Sequence, residues 1–249
     1  DNILATTKRD RMHVLQSPAA QKEDVKRSES APHLRDTKNK YDGIDDYVTV
    51  FDNVGLPGSL LLATMHYVYS NYKGTPIADK FYWYANTQVS APREKDDPFL
   101  LYERYQETSR WVGFTDTSNQ EGVRAIADFF NNSSTNGAKQ KKEIPVHLFL
   151  SDKSVDLNGN YDKQEEMHAC ANYGQVCAAL GVLVDGGAMV CKQFTLTTPA
   201  TLYLLDRLAK CFIRLILTKP ECAKQDNSEI YIVGIGYLAH EGRELHTKL

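Results

Sequence analysis

A chain of 249 residues with 42% hydrophobic and 24% charged residues can bury a full core and fits one domain, or a domain with an extension. A net charge of −3 excludes binding nucleic acid by bulk electrostatics, so any RNA would have to be held by a local basic patch. The five cysteines form no Cys-x-x-Cys pair, which argues against a zinc knuckle or a disulfide framework and for core thiols in a reduced compartment. No apolar run approaches the roughly 18 residues of a membrane span, and no cationic n-region marks a signal peptide. A chain that opens on Asp1 rather than Met is expected to be a piece of a longer one.

Residues 1–34 are polar and charged with little apolar periodicity, and read as a mobile or partner-dependent arm; residues 35–249 read as the domain. Lys22, Lys26 and Arg27 could give the arm RNA contacts, though a solvated surface explains them equally well. A helix is expected from His33 to Tyr47, then a strand over Val48–Val54 and the turn Gly55-Leu-Pro57-Gly58-Ser59. An apolar helix follows from Leu60. Phe81–Asn86 and Trp111–Asp116 read as strands, and Gly122–Phe130 has helical spacing.

Val146–Leu150 is a buried strand leading to Asp152. A long helix is expected over Lys163–Val184, with an acidic start at Glu165-Glu166 and an end at Gly186-Gly187. Ala188–Cys191 is the next strand. Thr197-Thr-Pro199 opens a helix whose apolar positions Leu202, Leu205, Ala209, Phe212, Ile213 and Ile216 keep spacings of three and four. Leu215-Ile-Leu and Ile230-Tyr-Ile-Val-Gly close the sheet, with a hairpin as one arrangement; the first of these overlaps the helix end. The alternation predicts an α/β fold with a mostly parallel sheet of about seven strands and helices on both faces.

Three phrases in the last third carry the chemistry: Leu148-Phe-Leu-Ser-Asp152, Gly186-Gly-Ala-Met-Val-Cys-Lys192 and Asn227-Ser-Glu229-Ile-Tyr-Ile-Val. Each sets one ionisable residue beside an apolar run, and ligands of α/β sheets bind beyond the strand termini. A carboxylate at the end of a buried strand is costly to desolvate without a partner, and Lys192 would be that partner. With Tyr161-Asp-Lys-Gln-Glu-Glu and Lys219-Pro220, these phrases resemble the FtsJ/RrmJ-type ribose 2′-O-methyltransferases. Within that group they are most similar to cap-1 enzymes of messenger RNA, in versions found in large DNA viruses. The likeness is best from Val146 to Gly234.

The resemblance implies a Rossmann-like methyltransferase fold and S-adenosylmethionine as cofactor, with no metal and no membrane. It implies capped RNA as substrate, other capping or transcription proteins as partners, and work in a host cytoplasm or virion. It places Lys40, Asp152, Lys192 and Glu229 in a catalytic tetrad, with Lys38 as the alternative first lysine. It places Gly55, Pro57, Gly58 and Ser59 around the methionine end of the cofactor, although the turn alone explains those residues equally well. Asn86 stands where many methyltransferases put a ribose-binding carboxylate, and Asp116 would accept from the adenine amine; ordinary loop capping is the other explanation for both. Asp152 would face the sulfonium, and Lys192 would take the proton of the attacking hydroxyl. Glu229 would orient a lysine. Arg93, Lys139, Lys141, Lys142 and Lys153 are candidate phosphate contacts, with Phe81-Tyr-Trp-Tyr as a stacking surface or core. His66 and His147 read as structural. Two further readings stay open: a methyltransferase of ribosomal or internal RNA, and an inactive fold that binds RNA or a partner.

Overall fold

The computed structural model of the chain describes residues 12–16, 47–55, 59–87, 111–113, 115–131, 143–155, 157, 159–221, 223 and 228–248. Among these, eight strands form one sheet: β1 (Met12–Gln16), β2 (Val48–Asp52), β3 (Phe81–Asn86), β4 (Trp111–Gly113), β5 (Val146–Ser151), β6 (Leu183–Phe194), β7 (Phe212–Thr218) and β8 (Glu229–Tyr237). Their order is β1-β7-β8-β6-β5-β2-β3-β4. From β4 to β6 every neighbouring pair is parallel. β8, β7 and β1 extend the sheet by antiparallel pairings. The chain runs outward from β2 to β3 and β4, then returns to β5 on the other side of β2. The β2–β5 boundary is therefore the switch point, where a crevice opens at the carboxyl ends of the strands.

Six α-helices among the described residues accompany the sheet: α1 (Ser59–Asn71), α2 (Pro76–Asp79), α3 (Gln120–Asn131), α4 (Gln164–Val182), α5 (Pro199–Cys211) and α6 (Ala239–Lys248). Alternate residues of the central strands feed two cores, as the two-residue period of a strand requires. Val50, Trp83 and Leu150 pack with Leu61 and Val68 of α1. Phe51, Phe149 and Met189 pack with Ile126 and Phe130 of α3, Val176 and Leu180 of α4, and Leu204 and Leu208 of α5. Small residues let α4 come close to its neighbours: a side chain at Gly174 would collide with the Thr117 carbonyl. None of these helices is long and apolar enough to cross a membrane.

Several boundaries differ from the sequence expectation. α4 stops at Val182, and Leu183–Val184 already belong to β6. Gly186-Gly187 lies inside that strand, where pairing with β5 shifts register between Val146 and Leu148. Gly186 takes φ +78° there, which suits glycine. Helical spacing also overran α5. Its end is Cys211, and Phe212-Ile-Arg-Leu-Ile-Leu-Thr forms β7. That apolar run satisfies both periods, and pairing with β8 on one side and β1 on the other decides for the strand.

The start of α5 matches expectation. Pro199 occupies its first turn and the Thr198 side chain accepts from Thr201 N, a cap of the kind worth about 1 kcal/mol. β7 and β8 are an antiparallel pair as anticipated. β2 ends at Asp52 rather than Val54 because Val54 N turns back to Asp52 Oδ1 at 2.9 Å. β4 ends at Gly113, short of Asp116. The eighth strand comes from the polar arm, whose residues 12–16 pair with β7. The rest of the arm and the helix expected before Tyr47 lie outside the described residues.

Candidate functional site

Asp152 is the first residue beyond β5, and Lys192 lies near the end of β6. The parallel register pairs Ser151 with Cys191, so the next residue of each strand reaches the same face. Their side chains meet with Lys192 Nζ 2.5 Å from Asp152 Oδ1, at 11% and 26% exposure. Across β6 and β8 the register sets Tyr231 opposite Lys192 and Glu229 opposite Phe194. Tyr231 donates its hydroxyl to Asp152 Oδ1 at 3.4 Å and also hydrogen-bonds Glu229. Burial, followed by the two carboxylates, raises the Tyr231 phenol above its usual value, so it remains a donor. Lys192 Nζ also sits 5.5 Å from the centre of the Phe194 ring.

Asp152, Lys192 and Glu229 thus share one row at the carboxyl edge of the sheet. Tyr231, for which the sequence suggested no role, joins them. The signal for it was its place two residues after Glu229, on the same face of the strand. Lys40, its alternative Lys38, Pro57 and Gly58 lie outside the described residues. Ser59 opens α1. Gly55 is buried, and its N–H donates to Asn86 O at 2.6 Å, tying the turn after β2 to the end of β3.

Asp52, at the end of β2, is a residue the sequence reading passed over. It is 1% exposed. Burial pushes its carboxyl up to about 7, an effect opposed by the Val54 and Leu61 N–H groups and reinforced by the charge of Asp152. The neighbouring Asn53 Oδ1 is buried without a hydrogen-bond partner among the described residues. An unpaired buried acceptor is costly. Beside the Asp52 carboxyl at the switch point, next to a glycine turn, it suits a ligand that brings N–H donors. The ammonium of an amino acid moiety is such a donor, so these residues fit the methionine end of S-adenosylmethionine.

On the other side of the crevice, Asp116 lies in the loop between β4 and α3. Its Oδ1 accepts from Lys153 Nζ at 2.7 Å and Ser118 N at 2.8 Å. Burial alone would raise this carboxyl, but the Lys153 and Ser118 bonds outweigh it and hold it below the usual range. Lys153 was read as a phosphate contact. It is instead buried under Asp116, because it follows Asp152 and points to the opposite face of the sheet. Lys153 Nζ and Asn53 Nδ2 both donate to Thr117 Oγ1, at 3.3 and 3.0 Å. Asn86 is 1% exposed. Its amide donates to Thr115 O at 2.9 Å and accepts from Thr115 N at 3.0 Å. Those bonds turn Asn86 toward holding the Asp116 loop rather than toward an open ribose site.

The remaining candidates lie elsewhere. His147 accepts from Thr49 N at 3.1 Å at the amino edge of the sheet, and His66 is exposed on α1. Phe81, Trp83 and Tyr84 are core, while Tyr82 is exposed. Cys191 and Cys211 are buried free thiols, but Cys170 is exposed. Burial pushes the Cys211 thiol up to about 11 and that of Cys177 likewise to about 11. Arg93, Lys139, Lys141 and Lys142 lie outside the described residues.

A sheet parallel from β4 to β6, with a glycine turn after β2 and an Asp-Lys-Glu row at its carboxyl edge, agrees with the FtsJ-type likeness of the sequence. The model of the FtsJ-like methyltransferase family matches residues 101–237, and the chain belongs to that family. Among curated relatives, the probable methyltransferase EP424R of African swine fever virus (strain Badajoz 1971 Vero-adapted) is 28% identical over 191 residues, covering 74% of this chain and 43% of its own length. The cap-specific mRNA (nucleoside-2′-O-)-methyltransferase 2 of Danio rerio is 31% identical over 206 residues, covering 78% of this chain and 25% of its own. The uncharacterized protein L511 of Acanthamoeba polyphaga mimivirus is 30% identical over 193 residues, with 76% and 23% covered. The chain therefore spans less than half the length of these relatives.

Proposed function

We propose that this chain is the catalytic domain of an S-adenosylmethionine-dependent RNA ribose 2′-O-methyltransferase, acting on the first transcribed nucleotide of capped RNA. The observation that carries the reading is the Asp152–Lys192 pair, flanked by Tyr231 and Glu229, at the carboxyl edge next to the switch point. A cap-specific relative that matches most of the chain supports the choice of capped RNA; other capping or transcription proteins are proposed as partners. Viral relatives among the matches favour, as part of this proposal, work in a host cell or virion.

When bound, the cofactor supplies an electrophilic methyl group on a sulfonium. Asp52, Gly55 and Asn53 would hold its amino acid end, with Pro57, Gly58 and Ser59 proposed as further contacts. Asp116 would take the adenine end, and Asn86 would hold the Asp116 loop. Lys192 would meet the attacking 2′-hydroxyl as the neutral amine, its ammonium proton having passed to solvent, and would take up the proton of that hydroxyl. Asp152 holds Lys192 in place and offers negative charge to the sulfonium side. Glu229 would act through Tyr231, and Lys40, outside the described residues, is proposed as the second cation of the site. Nothing in this scheme is covalent to the protein, so positioning and electrostatics carry the acceleration.

The test incubates the chain with methyl-labelled S-adenosylmethionine and short RNAs that are capped or uncapped, followed by nuclease digestion. Label in a 2′-O-methyl at the first nucleotide of the capped RNA alone is the expected result. Label in uncapped RNA would move the assignment to internal RNA. Cofactor binding by calorimetry with no transfer to either RNA would leave a binding module.

A further inference from the structure

Glu165, in the first turn of α4, has no part in the chemistry above, yet it is the most heavily hydrogen-bonded carboxylate described. It is 6% exposed. Thr195 Oγ1 donates to Oε2 at 2.8 Å. Thr197 donates its N–H to both oxygens at 3.0 Å and its hydroxyl to Oε2 at 2.7 Å. Thr198 donates both N–H and hydroxyl to Oε1 at 2.8 Å. Burial would raise this carboxyl, but donation from Thr201, Thr198, Thr197 and Thr195 outweighs it and holds Glu165 ionised.

These donors form the loop that leaves β6 just after Lys192 and Phe194. Thr195 sits there at φ +50°, a left-handed backbone that a β-branched residue adopts only when its surroundings hold it. Its N–H donates to Ser228 O at 3.1 Å, immediately before Glu229, and Ser228 Oγ donates to Gln164 Oε1 at 2.5 Å. The same helix reaches the other strand ends. His168 Nε2 accepts from Val155 N at 2.9 Å, beyond Asp152, while its Nδ1 meets Gln164 O at 2.8 Å. That pair of contacts assigns the neutral ring its proton at Nδ1. Gln175 Nε2 donates to the carbonyl of Lys192 itself at 2.8 Å.

We infer that Glu165 is a positioning residue of the methyl-transfer site: by gathering the Thr195–Thr198 loop onto the start of α4, it sets Lys192, and through Ser228 also Glu229, at the geometry the reaction needs. The inference rests on the proposed function, and it explains why the Tyr161-Asp-Lys-Gln-Glu-Glu phrase accompanies the Asp-Lys-Glu row. Neutral glutamine in place of Glu165 keeps the shape but loses one acceptor oxygen and the charge, so the loop drifts and takes Lys192 with it.

The test compares Glu165→Gln with Glu166→Gln, its exposed neighbour, for transfer kinetics, melting temperature and the side-chain NMR resonance of ¹³C-labelled Lys192. Glu165→Gln should lower kcat by about 10²-fold, the cost of a misplacement near an ångström, and move the Lys192 resonance. KM for RNA and cofactor should stay within about threefold, and Glu166→Gln should match the wild type throughout. Should Glu165→Gln not fold, Thr197→Val removes one donor alone and should show the same pattern, smaller. Unchanged kcat with an unmoved Lys192 resonance would overturn the inference, as would kcat, both KM values and melting temperature failing together. If the wild type itself transfers no methyl group, the proposed function fails, and the Lys192 resonance alone decides this point.

Discussion

Asp152 and Lys153 are neighbours in sequence, and each makes an Asp–Lys pair on its own face of the sheet. Lys153 pairs with Asp116 at 2.7 Å, Lys192 with Asp152 at 2.5 Å. In the first pair Thr117 shares the ammonium and Ser118 N shares the carboxylate, at 8% and 32% exposure. The second pair, at 11% and 26%, is about as buried, and its contacts include the hydroxyl of Tyr231 and the ring of Phe194. What separates the two is place. The Asp116 pair braces the loop between β4 and α3, whereas the Asp152 pair stands at the carboxyl edge of the sheet, where ligands of such sheets bind.

Replacing Lys192 should expose the difference most strongly. Lys192→Ala should lower methyl transfer by about 10³-fold or more, within the range of a lost acid–base group. Cofactor affinity, measured by calorimetry, should hardly change. A parallel loss of affinity would mean that this pair too is a brace.

Asp52 should come next. Its folded carboxyl is raised to about 7 from 3.8, so the folded state holds a proton that the unfolded state has released. The stability this contributes is complete below about pH 4 and is lost as pH rises through 7. Asp52→Asn should flatten the melting temperature across that window, raise it by several degrees at pH 8, and weaken cofactor binding by about tenfold or more, as expected for a lost charge-assisted bond. An unaltered pH profile would contradict the burial argument.

Lys153→Met should act on binding and stability rather than on turnover. The expected loss is about 1–2 kcal/mol by denaturant melts, below the 3–5 kcal/mol of a fully buried broken pair because Asp116 keeps some solvent. A drop in kcat at saturating cofactor would make the brace catalytic. Tyr231→Phe is the mildest change. Its hydroxyl lies 3.4 Å from Asp152, so kcat should fall by only a few-fold, consistent with one long neutral bond.

The Asp152–Lys192 pair was legible in the sequence and the Asp116–Lys153 pair was not. Asp152, Lys192 and Glu229 each flank an apolar run, and adjacent strands set such residues side by side. Lys153 could be placed only by knowing that the Asp116 loop folds beneath it, a long-range fact with no local pattern. Asp52 carried the same strand-end signal as Asp152, but the apolar Val54 beyond it made the strand look longer than it is. Leu183–Val184 and Phe212–Ile213 read as helix, and Leu215–Ile216 stayed between helix and strand, for a related reason. Apolar runs satisfy helix and strand periods alike, and only pairing with β5, β8 and β1 separates them.

The central claim is that Lys192 accepts a proton rather than merely lending positive charge. Lys192→Arg on capped RNA under single-turnover conditions tests it directly, because guanidinium keeps its charge and cannot take up a proton near neutral pH. Transfer as weak as that of Lys192→Ala is the result predicted here. Retention of most of the wild-type rate would contradict proton acceptance and leave charge alone as the role of this lysine.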